Sequence, residues 1–271
     1  MIYRKQTRVC LKLNSGATNT EYTAASQLIS ATTISFPLET TGYLYLGYHE
    51  PFTTRYFDLG TVASSAATLT LEYYANGTWT AVEDKVDQTA GFTVSGFLSW
   101  SNPGTWSRHE LAPVSDVELY WLRVSVSTNL TGSPTIQSVL NLFCDAVDLR
   151  EYYPELVSDT RYLPPSRSNF LEQLNAGKNL VVRKLIQKRA ISDESQILDI
   201  NEVTVAAVHA TAHIILDPIA NNDEARAQAK QAHDNMIREL DAIALSADLD
   251  NSGAIDESEE PEEPMYFNPR A

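Results

Sequence analysis

The stretch from Gln196 to Leu245 constrains the fold most, because it predicts two helices joined by a short turn. In the first, Asn201 to Leu216, the residues Val203, Val205, Ala206, Val208, Ala210, Ala212, Ile214, Ile215 and Leu216 leave almost no polar face. A helix apolar nearly all round is covered on most sides. The rest of the chain, or a neighbouring subunit, must supply that cover. The second helix opens at Asn221-Asn222-Asp223-Glu224, where Asn or Asp can cap and the acids meet the positive end of the macrodipole. Its apolar residues Ala225, Ala229, Ala232, Met236, Leu240 and Ile243 are three or four apart and form one narrow stripe.

Ahead of this helical pair, from Thr7 to about Cys144, the chain reads as short strands. The runs are Thr7–Leu13, Thr33–Leu38, Gly42–Tyr48, Thr53–Asp58, Thr68–Tyr74, Trp79–Val82, Gly96–Trp100, Leu119–Ser127 and Ile136–Phe143. Thr68 to Tyr74 alternates as a half-buried strand does. Asn76-Gly77 lies between two such runs and predicts a tight hairpin. Many short strands with no helix between them predict an antiparallel, jelly-roll-like sandwich. Trp79, Trp100, Trp106 and Trp121 fall in this region. They fit either a sugar-stacking platform or, more economically, a core with interface anchors.

Asp148 to Pro154 predicts a short amphipathic segment ended by proline. Phe170, Leu171, Leu174, Leu180, Val181, Leu185 and Ile186 then keep helical spacing, with Gly177 as a point of bending or interruption. Lys178, Arg183, Lys184, Lys188 and Arg189 make this helix the most basic part of the chain. They would suit phosphates or an acidic partner surface, or simply form a solvated face biased towards the helix C-terminus. His209 and His213 are four apart on the apolar helix, but no HExxH motif joins them, so buried or interface histidines are expected.

The formal net charge of −15 is uneven: residues 248 to 263 hold eight acids and no base, and the rest of the chain carries the other −7. That balance argues against a general nucleic-acid binder. No run approaches the ~20 apolar residues of a membrane span. No apolar signal core comes after the charged start, so export by a cleaved signal is not expected. Cys10 and Cys144 both lie in strand-like runs; buried free thiols are expected, and the two could be neighbours in one sheet.

Asp248 to Glu259 has the layout of an EF-hand calcium loop. Asp248, Asp250 and Ser252 would supply oxygens at positions one, three and five. Ala254 would give its carbonyl at seven, Asp256 would act at nine and Glu259 at twelve, with Gly253 at the turn. Ser252 departs from the strict pattern, and Glu260-Pro261-Glu262-Glu263-Pro264 is a poor exiting helix. A disordered acidic tail is the competing expectation. No phosphate loop, nucleophile elbow or Cys-x-x-Cys pair is present, and no carboxylate pair argues for acid–base catalysis, so no enzyme is expected.

Two resemblances bear on function. Tyr73-Tyr74-Ala75-Asn76-Gly77-Thr78-Trp79, Gly91-Phe92, Leu98-Ser99-Trp100, Pro103-Gly104-Thr105-Trp106 and Tyr120-Trp121-Leu122-Arg123-Val124 come in an order that resembles β-sandwich modules of tailed-phage structural proteins, over residues 40 to 127. Asp148 to Pro154, the Ala-rich helix Asn201 to Leu216, the helix Glu224 to Leu245 and the acidic Asp248-Leu249-Asp250-Asn251-Ser252-Gly253 together resemble the head-to-tail connector (adaptor) proteins of tailed phages, over 148 to 259. That resemblance implies a homo-oligomeric ring, typically of twelve subunits, beneath the portal protein. The helices would line a channel for genomic DNA, and the C-terminal segment would reach the portal. The whole β region in front is a departure from the compact family pattern.

The expected fold is therefore α+β and multidomain: a jelly-roll-like antiparallel β-sandwich over 1–145, a helical bundle over 146–247, and an acidic loop with an extended arm over 248–271. The expected function is a structural virion protein, a neck adaptor at the head–tail junction made in the host cytoplasm, with the sandwich projecting outward. Its partners would be the portal and a downstream neck or tail protein, with no membrane. Partner contacts are expected at Met265, Tyr266 and Phe267 on the arm and at Lys184, Lys188 and Arg189 on the basic helix. Calcium at the acidic loop is the one cofactor expected. The alternative is a carbohydrate- or receptor-binding protein of a tail fibre or baseplate, whose warrant is the aromatic-rich β half.

Overall fold

In the computed structural model the chain divides into two compact units, Met1–Asn141 and Leu142–Ala271. The structure describes residues 7–26, 33–101, 103–111, 118–163, 169–192, 194–197, 199–220, 223–243, 245 and 247. The fold is α+β: two antiparallel sheets in the first unit and helices in the second.

Alternation of apolar and polar residues builds the first unit. A six-stranded sheet runs β2 (Thr20–Glu21), β1 (Arg8–Lys12), β4 (Tyr43–Tyr48), β10 (Tyr120–Val126), β6 (Leu69–Ala75), β7 (Thr78–Ala81). A five-stranded sheet runs β3 (Ile34–Ser35), β11 (Thr135–Leu140), β5 (Thr54–Thr61), β9 (Gly96–Trp100), β8 (Lys85–Asp87). One face of each sheet feeds a single hydrophobic cluster, which includes Leu46, Leu71 and Val124 from the first and Phe57, Leu98 and Val139 from the second. Burying such side chains stabilises by roughly 1.5–3 kcal/mol each before chain entropy is counted. The Asn-Gly turn closes as the sequence predicts. Ala75 pairs with Thr78, and Asn76 and Gly77 take φ values of 50° and 82°, the left-handed pair of a two-residue hairpin.

Three features depart from expectation. The run Ile136–Phe143 stops being a strand at Leu140, and Leu142, Phe143 and Cys144 are buried in the second unit. The two cysteines therefore do not share a sheet, although both are buried and free. A four-residue helix α1 (Thr23–Ser26) and two short edge strands, β2 and β8, were not anticipated; elements this short carry too few residues to show a period.

In the second unit, Asp145 caps α2 (Ala146–Tyr152) through a reciprocal capping box with Asp148. Pro154 ends that helix and opens α3 (Pro154–Ser158), where its missing N–H costs nothing. The remaining helices are α4 (Leu171–Gln187), α5 (Asn201–Leu216) and α6 (Asp223–Ala242). The apolar helix α5 packs against α2, α4 and α6, and ten of its sixteen residues are buried. The chain thus covers α5 itself, and no neighbouring subunit is required for that. On α6 four residues of the predicted stripe are buried, Ala229, Ala232, Met236 and Leu240; Ala225 in the first turn is half-buried, and so is Ile243, which lies just past the helix end. α4 continues unbroken through Gly177, where a β-carbon would meet Thr211 Oγ1 at 2.3 Å. Glycine there lets α4 approach α5 closely rather than bending the helix.

Candidate functional site

The face of the six-stranded sheet turned away from the core carries a dense mixture of rings and charge. Alternation places Tyr43 and Tyr45 of β4, Trp121 and Arg123 of β10, Glu72 and Tyr74 of β6, and Trp79 of β7 on this face. In register, Arg123 stands between Tyr45 and Glu72. Its Nε donates to Glu72 Oε2 at 2.7 Å. Its guanidinium lies 4.3 Å from the Tyr43 ring centroid and 4.5 Å from that of Trp79, so a planar cation is held between two aromatic rings. Tyr74 meets Trp79 edge-on at 4.9 Å and His109 at 4.8 Å. Tyr43, Tyr74 and Trp79 are half-buried over a small cluster of Cys10, Tyr45, Leu119 and Trp121. Burial pushes the Cys10 thiol up to about 11, which removes it as a nucleophile near neutral pH. Fixed rings flanked by a hydrogen-bonding ion pair can stack on and orient a flat polar ligand; they offer no acid–base pair.

The four tryptophans separate by burial. Trp100 and Trp106 belong to the core between the sheets, and Trp121 is fully buried on the other face. Only Trp79 is left as a candidate for stacking on a ligand. Sequence alone did not single out Arg123 and Glu72, which are 51 positions apart. They meet only through the pairing of β10 with β6, and a one-residue register slip would separate them.

The basic end of α4 is the second candidate surface, and its charges divide into two sets. Lys178 is buried and donates to Glu194 Oε2 at 2.8 Å. Lys188 donates to the Leu240 carbonyl at 2.8 Å and pairs with Asp241, both on α6. Lys184 is half-buried, whereas Arg183 and Arg189 are exposed. Arg189 takes a left-handed φ of 62° just past the helix end.

His209 and His213 turn to different partners. His209 Nδ1 and Tyr153 Oη are hydrogen-bonded at 2.7 Å, and burial lowers the histidine's pKa. His213 Nδ1 lies 3.1 Å from the Ala229 carbonyl, and its ring packs against His233 at 5.2 Å. Both are structural links from α5 to its neighbours. Among the described residues no group of three His, Cys, Asp or Glu is placed to hold a metal ion. Asp248, Asp250, Ser252, Ala254, Asp256 and Glu259 of the calcium loop, and Met265, Tyr266 and Phe267 of the arm, lie outside the described residues. No helix among the described residues is long and apolar enough to cross a membrane.

No family model matches the chain, and no curated protein matches it. Among solved structures it is similar to one from Clostridium perfringens described as CBM51-2 in complex with GlcNAc and INT domains from ZmpB. The identity is 10% and the TM-score 0.17; the match covers 90% of this chain and 43% of that one. A likeness of that size carries no argument about fold or function.

Proposed function

We propose that this chain is a structural virion protein, a head–tail adaptor that forms a ring between portal and tail and carries an added β module. The reading rests on one observation above all. The apolar, Ala-rich α5 is succeeded by the long amphipathic α6 and then at once by the acidic loop from Asp248, in the order that resembles the adaptor family. On this reading the first unit is a jelly-roll-like sandwich, the second is a compact helical bundle, and 248–271 is an acidic loop ending in an extended arm, 264–271, that engages the portal through Met265, Tyr266 and Phe267. Because α5 is enclosed by its own chain, ring contacts fall to the exposed faces of the outer helices. α6 offers a charged one there, with Arg226 paired to Asp223 and Lys230 to Asp234. No catalytic role is assigned.

Gold-labelled antibody against the β unit, viewed on purified particles, should mark the junction of head and tail. A chain lacking residues 264–271 should fail to assemble on the portal. Label at the distal tail would overturn the adaptor reading and favour a receptor- or carbohydrate-binding protein, for which Trp79, Tyr43 and Arg123 would be the contact surface. Normal assembly of the truncated chain would remove the arm from the proposal.

Calcium belongs to the proposal as a ligand of the loop 248–259, bound weakly because the sequence Glu260-Pro261-Glu262-Glu263-Pro264 is a poor former of the exiting helix. Calorimetric titration of the full chain should give a saturable heat in the ~0.1–1 mM range typical of weak loops, abolished by Glu259→Gln. Absence of heat at those concentrations would leave the loop as an acidic spacer.

A further inference from the structure

Between positions 178 and 189 the chain carries five bases, Lys178, Arg183, Lys184, Lys188 and Arg189, and no acid. Two are used inside the second unit: Lys178 by Glu194, and Lys188 by Asp241 and the Leu240 carbonyl. Arg183, Lys184 and Arg189 make no ion pair among the described residues. Three like charges are therefore gathered at one helix end. The favourable field of the helix C-terminus balances them only in part, because it fades within a turn.

The chain leaves the described structure close to this spot. Ala247 forms an antiparallel bridge with Ile197, in the segment just after α4. That segment is folded tightly on itself, because Gln196 Oε1 accepts from the backbone N–H of Ser192 at 2.6 Å and from its hydroxyl at 3.1 Å. Arg189 is three residues before Ser192, which at ~3.5 Å per residue is about 10 Å of chain. The sixteen residues after Ala247, 248 to 263, are the most acidic part of the molecule, with eight acids and no base.

We infer that the acidic segment 248–263 docks on the basic end of α4 in its own chain, with Arg183, Lys184 and Arg189 as the receiving surface. Opposite charge supplies the attraction. The tether at Ala247 supplies an effective concentration in the millimolar range, which a free acidic partner would have to exceed. Exposed ion pairs are individually weak and screened by salt, so the contact is reversible and a partner that binds the segment more strongly releases the patch. The inference rests on charge and tether and is independent of the adaptor reading.

Paramagnetic relaxation in the full chain tests it. A nitroxide is attached through Ser258→Cys; Cys10 and Cys144 are buried, so the engineered thiol takes the label. At about 50 mM salt, where the screening length exceeds 10 Å, the backbone amide signals of residues 183 to 189 should be strongly attenuated. They should recover at about 1 M salt, where that length falls to ~3 Å, and in the labelled R183E/K184E/R189E variant. Full-intensity signals at low salt would overturn the inference. So would attenuation that survives both high salt and charge reversal. Attenuation that grows with protein concentration would place the contact between copies and overturn the intrachain assignment.

Discussion

Replacing Trp121 by alanine is expected to lower the unfolding free energy of the β unit by about 3–5 kcal/mol, a large share of the ~5–15 kcal/mol of an ordinary domain. Trp121 is fully buried and lies over Gly47 of the neighbouring strand, so closely that a β-carbon on Gly47 would meet the ring at 2.6 Å. Its Nε1 donates to the His109 carbonyl at 2.9 Å, and its own carbonyl accepts from Trp106 Nε1 at 3.1 Å. Alanine removes the ring, leaves a cavity against a glycine that cannot fill it, and leaves the His109 carbonyl without that donor. Urea unfolding measured by tryptophan fluorescence and by far-ultraviolet dichroism separates the β transition from the helical one. A loss under about 1 kcal/mol would contradict the packing described, since that is the scale of exposed sites.

Asp58→Asn should stabilise the protein at pH 8 and have little effect at pH 3. Asp58 lies on β5 between Phe57 and Leu59, which enter the core, so it points to the opposite face of the five-stranded sheet. There it is buried, with Oδ2 lacking a hydrogen-bond partner among the described residues. Ser138, its register partner on β11, is fully buried, and its hydroxyl also lacks a hydrogen-bond partner among the described residues. Burial pushes the Asp58 carboxyl up to about 6 from an ordinary 3.8. The folded state then binds the proton more tightly than the unfolded chain, so stability falls as pH rises from about 4 to 6 and stays reduced above. Solvent reaching part of the group brings the cost at pH 8 to about 2 kcal/mol, below what the full shift would give. Asparagine removes the charge and keeps the shape. Thermal melts of both proteins across pH 3–8 should diverge upwards from about pH 4. Parallel curves would show that Asp58 keeps an ordinary pKa.

The features legible in the sequence were those set by neighbours along the chain. Asn76-Gly77 specified its turn because only those two positions had to reach positive φ. The spacing of Ala229, Ala232, Met236 and Leu240 gave the buried face of α6 directly. The break at Pro154 is likewise a local effect of a missing N–H. Legibility failed where burial comes from both sides. In β5, Thr54 to Asp58 are all buried, so alternation vanishes, and nothing local marks Arg55 as a residue stacked 4.1 Å from the Phe52 ring and buried among aromatics. The tryptophans failed for a related reason: a ring beside a polar neighbour reads the same whether its strand turns it inward or outward.

The basic helix divides in the same way. Its five charges were plain from the sequence, but not that Lys178 and Lys188 are occupied by Glu194 and Asp241, the second of which is 53 positions away. Propensity, period and charge are properties of short stretches, so the α+β class, the hairpin, the positions of the three longest helices and the abrupt acidity after Ala247 could all be read from the chain alone. It took the folded molecule to show that α5 is enclosed by its own chain, that Cys10 and Cys144 lie in different units, and that Arg123 rests between Tyr43 and Trp79. Each of those depends on strand register or helix packing between residues far apart in sequence, where the free energy belongs to the contact and not to either residue alone.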